Sequence, residues 1–399
     1  MTRVPADLQE LLAGFDHIET LPDLTERLRL GRPLRMKLGL DPTSPDLHLG
    51  HAIVLEHLQR FVAAGHDVTL VIGDFTARIG DPSGRNQARP ALSDEAIEHN
   101  MQTYAEQAGK VLDLERVTLR YNSEWLGALK LDGLIGLLSH VTVAQMLKRE
   151  DFAQRYASNT PISLHEFLYP IAQAYDSVAL QSDIELGGND QLFNVLMGRF
   201  FQGVFHQPPQ ICLTVPLLEG IDGTKKMSKS AGNAIGLNEA PNDQFGKTMR
   251  IPDELIARWH NLVLGFSQAE SAVLAAEIEA GTAHPMDEKK RIAEAIVTRY
   301  HGATAAVRAR EYFERTIQRG EAPSEMPELH LQEPIKLDAL LVRTQFAESK
   351  RAAQRLIAGG GVRIDGVAVS DPNALWKDAS AILSVGNRHY LRVHADIRS

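Results

Sequence analysis

The feature that most constrains the fold is an alternation of strand-like and helix-like segments in the first third of the chain. Residues 33–40 have the apolar density of a buried strand and end in a turn signal at Asp41. Residues 51–64 carry apolar side chains near one helical face, and residues 68–72 predict the next strand. A strand, a crossover helix and a strand at this spacing predict a parallel sheet and a Rossmann-like α/β architecture.

The segments that follow predict a chain of several domains. The Rossmann-like domain is expected to span residues 1–230, and amphipathic helical patterns without strand signals predict a helical domain over 231–320. An acidic, proline-bearing stretch predicts a linker over 321–335. Residues 336–399 predict a small α+β module, in which a short helix ends at a run of glycines.

Composition excludes some classes of protein and locates the basic charge. No run approaches the roughly 20 apolar residues that cross a bilayer, so no membrane partner is expected. The single cysteine, Cys212, excludes an intramolecular disulfide and a cysteine zinc cluster, and we expect a cytoplasmic protein. The net charge of −9 argues against coating nucleic acid through bulk charge. Residues 336–399 nevertheless carry ten basic and six acidic side chains, which predicts a local basic surface.

The first chemical motif is a histidine pair between the first strand and its helix. His48 and His51 are three positions apart, and Gly50 between them allows a flat group to approach the backbone. A helix N-terminus offers free N–H donors and favours anions, so the pair is a candidate for nucleotide phosphates. Capping or packing histidines are the simpler interpretation of such a pair. A zinc site is disfavoured because no third ligand is evident, and we predict no metal ligands.

The second motif is the polar, lysine-rich segment 223–230, which contains Lys226 and Lys229. It has too little apolar content to form a core element. Lysine ammonium groups are mobile point charges that suit a triphosphate or a departing pyrophosphate. Taken alone, the segment is better explained as a solvated basic loop.

A third group of candidates lies in the middle of the chain. Tyr169, Gln173 and Asp176 share one helical face at i, i+4 and i+7. Polar groups converging on an otherwise apolar helix are costly unless they meet a polar ligand, although a half-exposed helix with its polar face in water fits the pattern as well. Downstream, Gly188 and Asp190 form a close-approach turn with a carboxylate that suits ribose hydroxyls.

Taken together, these motifs resemble those of a known enzyme family. An early His-x-Gly-His and a later Lys-Met-Ser-Lys-Ser are the paired signatures of class I aminoacyl-tRNA synthetases. The pattern Tyr-x3-Gln-x2-Asp at 169–176 and Gly-Gly-x-Asp-Gln at 187–191 resembles tyrosyl-tRNA synthetases of the longer bacterial form, nearly from end to end. The resemblance implies a tyrosine–tRNA ligase that is a homodimer. Its helical connective and dimer region would lie near 125–165, its anticodon-side domain at 231–320 and its RNA-binding domain at 336–399.

The resemblance also implies which residues bind the substrates, L-tyrosine, ATP with Mg²⁺, and tRNA(Tyr). Tyrosine would be bound by Asp41, Asp81, Tyr169, Gln173, Asp176 and Gln191. ATP and pyrophosphate would be bound by Thr43, His48, Gly50, His51, Arg85, Arg89, Gly188, Asp190, Lys226 and Lys229. Among these, Asp176 would accept the phenol hydrogen bond, and Asp81 would hold the ammonium together with Tyr169 and Gln173. The tRNA would be gripped in part by Lys350, Arg351 and Arg355.

One position departs from the family, and two alternatives stay open. Many bacterial tyrosyl enzymes have a second phenol-reading tyrosine where this chain has Lys37, so Asp176 needs another partner. A tryptophan-specific enzyme shares the fold but not the 169–176 pattern. An idle relative that only binds RNA is the alternative from another class. Because the tyrosine carboxylate is its own nucleophile, His48, His51, Lys226 and Lys229 are expected to act electrostatically, not as acids or bases.

Overall fold

The computed structural model describes residues 8–83, 92–323, 326–376, 380–386 and 389–395. The chain divides into two compact units, the first formed by residues 1–239 and 247–292 and the second by residues 240–246 and 293–399. Within the described residues, no helix is both long enough and apolar enough to span a membrane.

Strands and helices alternate along much of the chain. The strands are β1 His17–Glu19, β2 Arg35–Leu40, β3 Asp67–Ile72, β4 Val117–Tyr121, β5 Ile184–Gly188, β6 Ile211–Val215, β7 Glu328–Leu331, β8 Val362–Ile364, β9 Val367–Ala368, β10 Ser380–Val385 and β11 His389–Ala395. The helices up to β6 are α1 Leu8–Leu11, α2 Leu21–Arg29, α3 Leu49–Ala63, α4 Thr76–Ile79, α5 Asp94–Ala108, α6 Ser123–Leu126, α7 Leu131–Leu138, α8 Val143–Met146, α9 Glu150–Ala157, α10 Leu168–Leu180 and α11 Leu192–Val204. The later helices are α12 Pro241–Thr248, α13 Ile256–Leu264, α14 Gln268–Glu279, α15 Pro285–His301, α16 Ala303–Phe313, α17 Leu337–Arg343 and α18 Lys350–Ala358. Short 3₁₀ turns lie at 114–116, 164–167, 189–191, 229–231 and 253–255, and a π-helical turn follows α16 at Glu314–Gln318.

The first unit is built on the predicted parallel sheet. Its strand order is β1-β6-β5-β2-β3-β4, and β1 alone among these strands runs antiparallel to its neighbour. Strands β5 and β6 are buried along their whole length, as expected for parallel strands covered on both faces. The predicted strand 33–40 is β2 and the predicted strand 68–72 is β3, and the helix between them, α3, begins at Leu49.

The strand order fixes where a ligand is expected. From β2 the chain moves outward through β3 to β4, and it then crosses back to place β5 on the other side of β2. The order therefore reverses between β2 and β5, which makes this a topological switch point. In open parallel sheets, ligands bind outside the carboxyl ends of the strands at such a point.

The second unit contains the small α+β module, with strand order β7-β11-β10-β8-β9. Helices α17 and α18 cover a core that includes Leu340, Leu341, Ile357, Trp376 and Val393. The predicted linker over 321–335 contains strand β7, which pairs in parallel with β11 from Glu328 to Leu331. The alternation of exposed or half-buried side chains with a buried Leu331 explains why this segment joins the sheet.

Candidate active site

A cleft of about 1070 Å³ opens at the carboxyl ends of β2, β3 and β5. Of the sequence-predicted tyrosine and ATP residues, the cleft is lined by Asp41, Thr43, His48, Gly50, His51, Asp81, Tyr169, Gln173, Asp176, Gly188, Asp190, Gln191, Lys226 and Lys229. Segments that are far apart in sequence therefore meet in one cavity at the switch point. Arg85 and Arg89 lie outside the described residues.

One buried polar group of the cleft is the carboxylate of Asp176 on α10. It is buried, and its Oδ1 accepts a hydrogen bond from the Trp125 indole Nε1 at 2.7 Å. Its Oδ2 accepts a longer one, 3.4 Å, from Asn122 Nδ2. Burial raises the pKa of Asp176 to about 7, against the opposing influence of Lys37 and these two donors.

Trp125 and Asn122 were not predicted from the sequence. They lie on the turn and short helix that follow β4, about fifty positions before Asp176. Asn122 is fixed there because its backbone N–H donates to the Ile72 carbonyl and its side-chain oxygen accepts from the Phe75 N–H. No spacing in the sequence marks these two residues as partners of a distant carboxylate.

Lys37, where the family places a second tyrosine, is buried inside the sheet. Its ammonium forms an ion pair with Glu185 at 2.8 Å and donates to the Gln173 carbonyl at 3.3 Å. The Gln173 side chain also donates to Glu185, at 3.0 Å. Ser177 and Gln210 complete the hydrogen bonds to this carboxylate. The lysine thus neutralises a buried glutamate beside the tyrosine-pattern helix.

Asp41, at the end of β2, joins two walls of the cleft. Tyr169 donates to its Oδ2 at 2.8 Å and Thr76 to its Oδ1 at 2.7 Å. Asn122 in turn donates to the Thr76 hydroxyl at 3.0 Å, so hydrogen bonds run from Asp176 to Tyr169. Gly73 is required beside Asp41, because a Cβ there would lie 1.9 Å from the carboxylate. Burial, followed by the Asp41 charge, raises the pKa of Tyr169 well above its usual value.

Asp81 forms a second carboxylate centre in the cleft. It accepts hydrogen bonds from the backbone and hydroxyl of Ser83 and, at 2.8 Å, from Gln191. The buried Arg149 guanidinium lies 3.5 Å away and is itself held by Asn194. Burial alone would raise the pKa of Asp81, but Arg149 and these donors hold it below its usual range. Asp81 is therefore a carboxylate at neutral pH.

The histidine pair sits at the start of α3. The rings of His48 and His51 have centroids 3.9 Å apart, and the His48 backbone N–H donates to His51 Nδ1 at 3.2 Å. Burial, with the added effect of Lys226 and Lys229, lowers the pKa of His51 to about 4. Burial also lowers the pKa of His48 well below its usual value. Both rings are therefore neutral at physiological pH, and they offer N–H dipoles instead of full charges.

The lysine-rich segment closes the other side of the cleft. Lys226 pairs with Asp190 at 2.6 Å, and Lys229 pairs with Asp46 from the histidine motif. Asn233 fixes the backbone of the segment, because its Oδ1 accepts from the Ser228 N–H at 2.8 Å. These lysines are therefore each paired with a carboxylate, with about a third of each lysine side chain exposed to solvent.

The predicted tRNA contacts lie in the second unit. Lys350, Arg351 and Arg355 are on α18, whose opposite face buries Ala353 and Ile357, and all three are exposed. Ser349 caps the helix by accepting a hydrogen bond from the Ala352 N–H. The three cations therefore share the solvent side of one short helix, where they can contact phosphates.

Comparison with known proteins gives a consistent result. Residues 29–318 match the family model for class I tRNA synthetases (W and Y), and residues 335–375 match the S4 domain. The chain is 46% identical to a tyrosine–tRNA ligase of Haemophilus ducreyi over 98% of both chains, and 45% identical to one of Moorella thermoacetica over 98% of this chain and 96% of the relative.

Solved structures agree on the fold. A tyrosyl-tRNA synthetase of Archaeoglobus fulgidus, complexed with L-tyrosine, superposes with a TM-score of 0.60 at 22% identity and covers 75% of this chain and 98% of its own. A tyrosyl-tRNA synthetase of Aeropyrum pernix gives a TM-score of 0.62 at 20% identity over 77% of this chain and 97% of its own.

Proposed function

We propose a two-step mechanism for the cleft of this chain, which belongs to the class I tRNA synthetases for tryptophan and tyrosine and, among them, to the tyrosine–tRNA ligases. In the first step a tyrosine carboxylate oxygen attacks the α-phosphorus of ATP. The bond from that phosphorus to the β-phosphate oxygen breaks, and pyrophosphate leaves. In the second step a ribose hydroxyl at the 3′ end of tRNA attacks the tyrosyl carbonyl, and AMP leaves.

The observation that carries the assignment of the pocket is the buried Asp176 carboxylate with Trp125 and Asn122 as its donors. A tyrosine phenol that donates to this carboxylate would complete its hydrogen bonds. Phenylalanine would bury the same carboxyl group without that donor, a penalty that favours tyrosine over phenylalanine. The phenol therefore has Trp125 and Asn122 as neighbours in place of a second tyrosine.

The other end of the substrate is assigned to the remaining carboxylates. Asp81, held ionised by Arg149, would take the ammonium together with Tyr169 and Gln173. Asp41 and Gln191 would line the same pocket, because Asp41 accepts a hydrogen bond from Tyr169 and Gln191 donates one to Asp81. Charge complementarity supports this arrangement, since the ammonium is the only cation of tyrosine.

The phosphates of ATP are assigned to Thr43, the histidine pair and the lysines. Neutral His48 and His51 would donate N–H groups at the N-terminus of α3, where Gly50 leaves room for a phosphate. Lys226 and Lys229 would exchange their carboxylate partners for the phosphates and stabilise charge on the leaving pyrophosphate. Arg85 and Arg89 would assist them, and Gly188 with Asp190 would take the ribose. We expect ATP to arrive as its Mg²⁺ complex.

The assembly and the tRNA grip are also proposals. Exposed cations on α18, namely Lys350, Arg351 and Arg355, support tRNA binding through phosphates. An exposed apolar surface near 125–165 supports a homodimer, and it includes Leu131, Ile135, Val143, Tyr156 and Leu164 with exposed fractions of 58% to 83%. We propose a cytoplasmic location, where tRNA is charged.

The test is amino-acid-dependent exchange of pyrophosphate into ATP, with tyrosine, tryptophan and phenylalanine in parallel. Exchange with tyrosine alone is expected. Exchange with tryptophan would overturn the pocket assignment while keeping the fold. If none of the three amino acids supports exchange in a preparation that binds tRNA, the alternative of an inactive relative that only binds RNA would be favoured.

A further inference from the structure

Three potential metal ligands meet on the sheet of the second unit, outside the proposed catalytic cleft. Glu328 and His330 are two positions apart on β7, so they share one face of the strand. His394 on β11 is the direct register partner of His330 across the parallel pair. One ligand atom from each of the three residues lies within 4.8 Å of the other two.

The contacts among these side chains leave them close to a binding geometry. His394 Nε2 lies 3.6 Å from a Glu328 carboxylate oxygen, and the two imidazoles stack with centroids 4.8 Å apart. Glu328 and His330 are exposed and His394 is partly buried. The three donor atoms therefore lie near enough to one another to share one ion.

The donor set selects the class of ion. Two imidazoles and one carboxylate are ligands that zinc accepts, with a water as the fourth ligand. Calcium and magnesium prefer sites made entirely of oxygen, and the set contains no thiolate that would favour softer ions. We propose that Glu328, His330 and His394 form a binding site for a divalent transition ion of the Zn²⁺ type on the C-terminal module.

The position of the site defines its structural effect. Among the described strands, β7 lies at the edge of the sheet and pairs with β11 alone. An ion held by both strands would cross-link them and hold β7 in register. Arg392 is the register partner of Glu328 and brings a positive charge to the same face, which moderates the affinity.

The competing explanation is an ordinary surface ion pair between His394 and Glu328, which contributes little to stability. The full chain, freed of any affinity tag, is titrated with ZnCl₂ by calorimetry in a non-chelating buffer without ATP. His330→Gln and His394→Gln are the test variants, and neither residue belongs to the proposed catalytic machinery. His389→Gln is the matched control, because His389 lies on the same strand as His394 but on the opposite face.

The wild type and His389→Gln are each expected to bind one equivalent of zinc. His330→Gln and His394→Gln should bind that zinc more than about tenfold more weakly. Zinc should also slow amide hydrogen exchange in β7 and β11 of the wild type, and leave it unchanged in His394→Gln. Equal zinc binding by all four proteins would overturn the site. Binding without slower exchange in β7 would overturn the cross-linking role.

Discussion

Replacing Asp176 by asparagine should separate stability from function, since the buried carboxylate is costly to the fold. Its pKa is about 7 in the folded chain, against a usual value of 3.8, mainly because of burial. A raised folded pKa gives stability that is complete below the unfolded pKa and is lost as pH rises through the folded one. At about 1.4 kcal/mol per pKa unit, the wild type loses roughly 4 kcal/mol between pH 3 and pH 8. An amide imitates the protonated acid and does not titrate.

The assay is urea unfolding of both proteins, followed by circular dichroism at several pH values. Subtracting the wild type from Asp176→Asn cancels every other titrating group. The stability advantage of the variant should grow by about 2–3 kcal/mol from pH 5 to pH 8. Tyrosine-dependent exchange should fall in the same variant, because the amide presents a poorer acceptor to the phenol.

Asp183→Asn provides the matched control, because the environment of Asp183 lowers the pKa of its carboxyl group instead of raising it. Burial would raise the pKa of Asp183, but Arg32 and Arg35 hold it well below its usual range. A lowered folded pKa gives stability that is present above the unfolded pKa, so this variant should be destabilised by a constant amount from pH 5 to pH 8. If the difference in unfolding free energy between Asp176→Asn and the wild type did not change with pH, the raised pKa of the buried Asp176 would be refuted.

The remaining predictions concern three other side chains of the first unit. Lys229→Ala should lower kcat of activation by about 10²–10³ with the KM for tyrosine unchanged, in steady-state exchange assays; a pure KM effect would contradict its role at the leaving pyrophosphate. Lys37→Met should destabilise the chain by about 3–5 kcal/mol in urea unfolding by leaving Glu185 unpaired, and adding Glu185→Gln should restore most of the loss. Trp125→Phe should raise the KM for tyrosine by up to about tenfold, because it removes the hydrogen bond that orients the Asp176 carboxyl group; an unchanged KM would show that Trp125 has no part in phenol binding.

Local patterns predicted much of the catalytic fold. The apolar density of residues 33–40 and 68–72 and the helix between them were enough to predict β2, α3 and β3, because parallel strands and their crossover helices have distinct periodicities. The helical spacing of Tyr169, Gln173 and Asp176 likewise placed all three on the cleft side of α10. These features depend on contacts that are close in sequence.

Long-range pairing could not be predicted in the same way. Lys37 meets Glu185 across two adjacent strands that are 148 positions apart, and the sequence gives no register for them. Strand β7 is short, and its pairing with β11 was hidden inside an apparent linker. The lysines of the 223–230 segment were predicted to face ligands, but their pairing with Asp190 and Asp46 depends on how two separate loops fold together.

The ion pair between Lys226 and Asp190 has a consequence for nucleotide selection. Under the proposed roles, the same carboxylate that should receive the ribose is occupied by the lysine that should receive phosphate. ATP supplies a replacement for each partner at once, a ribose hydroxyl for Asp190 and a phosphate for Lys226. Adenosine supplies only the ribose and would strand the ammonium without an anion. A nucleoside without phosphates should therefore compete poorly with ATP, even though it fits the ribose turn, and the resting pair adds to the loss of the phosphate contacts.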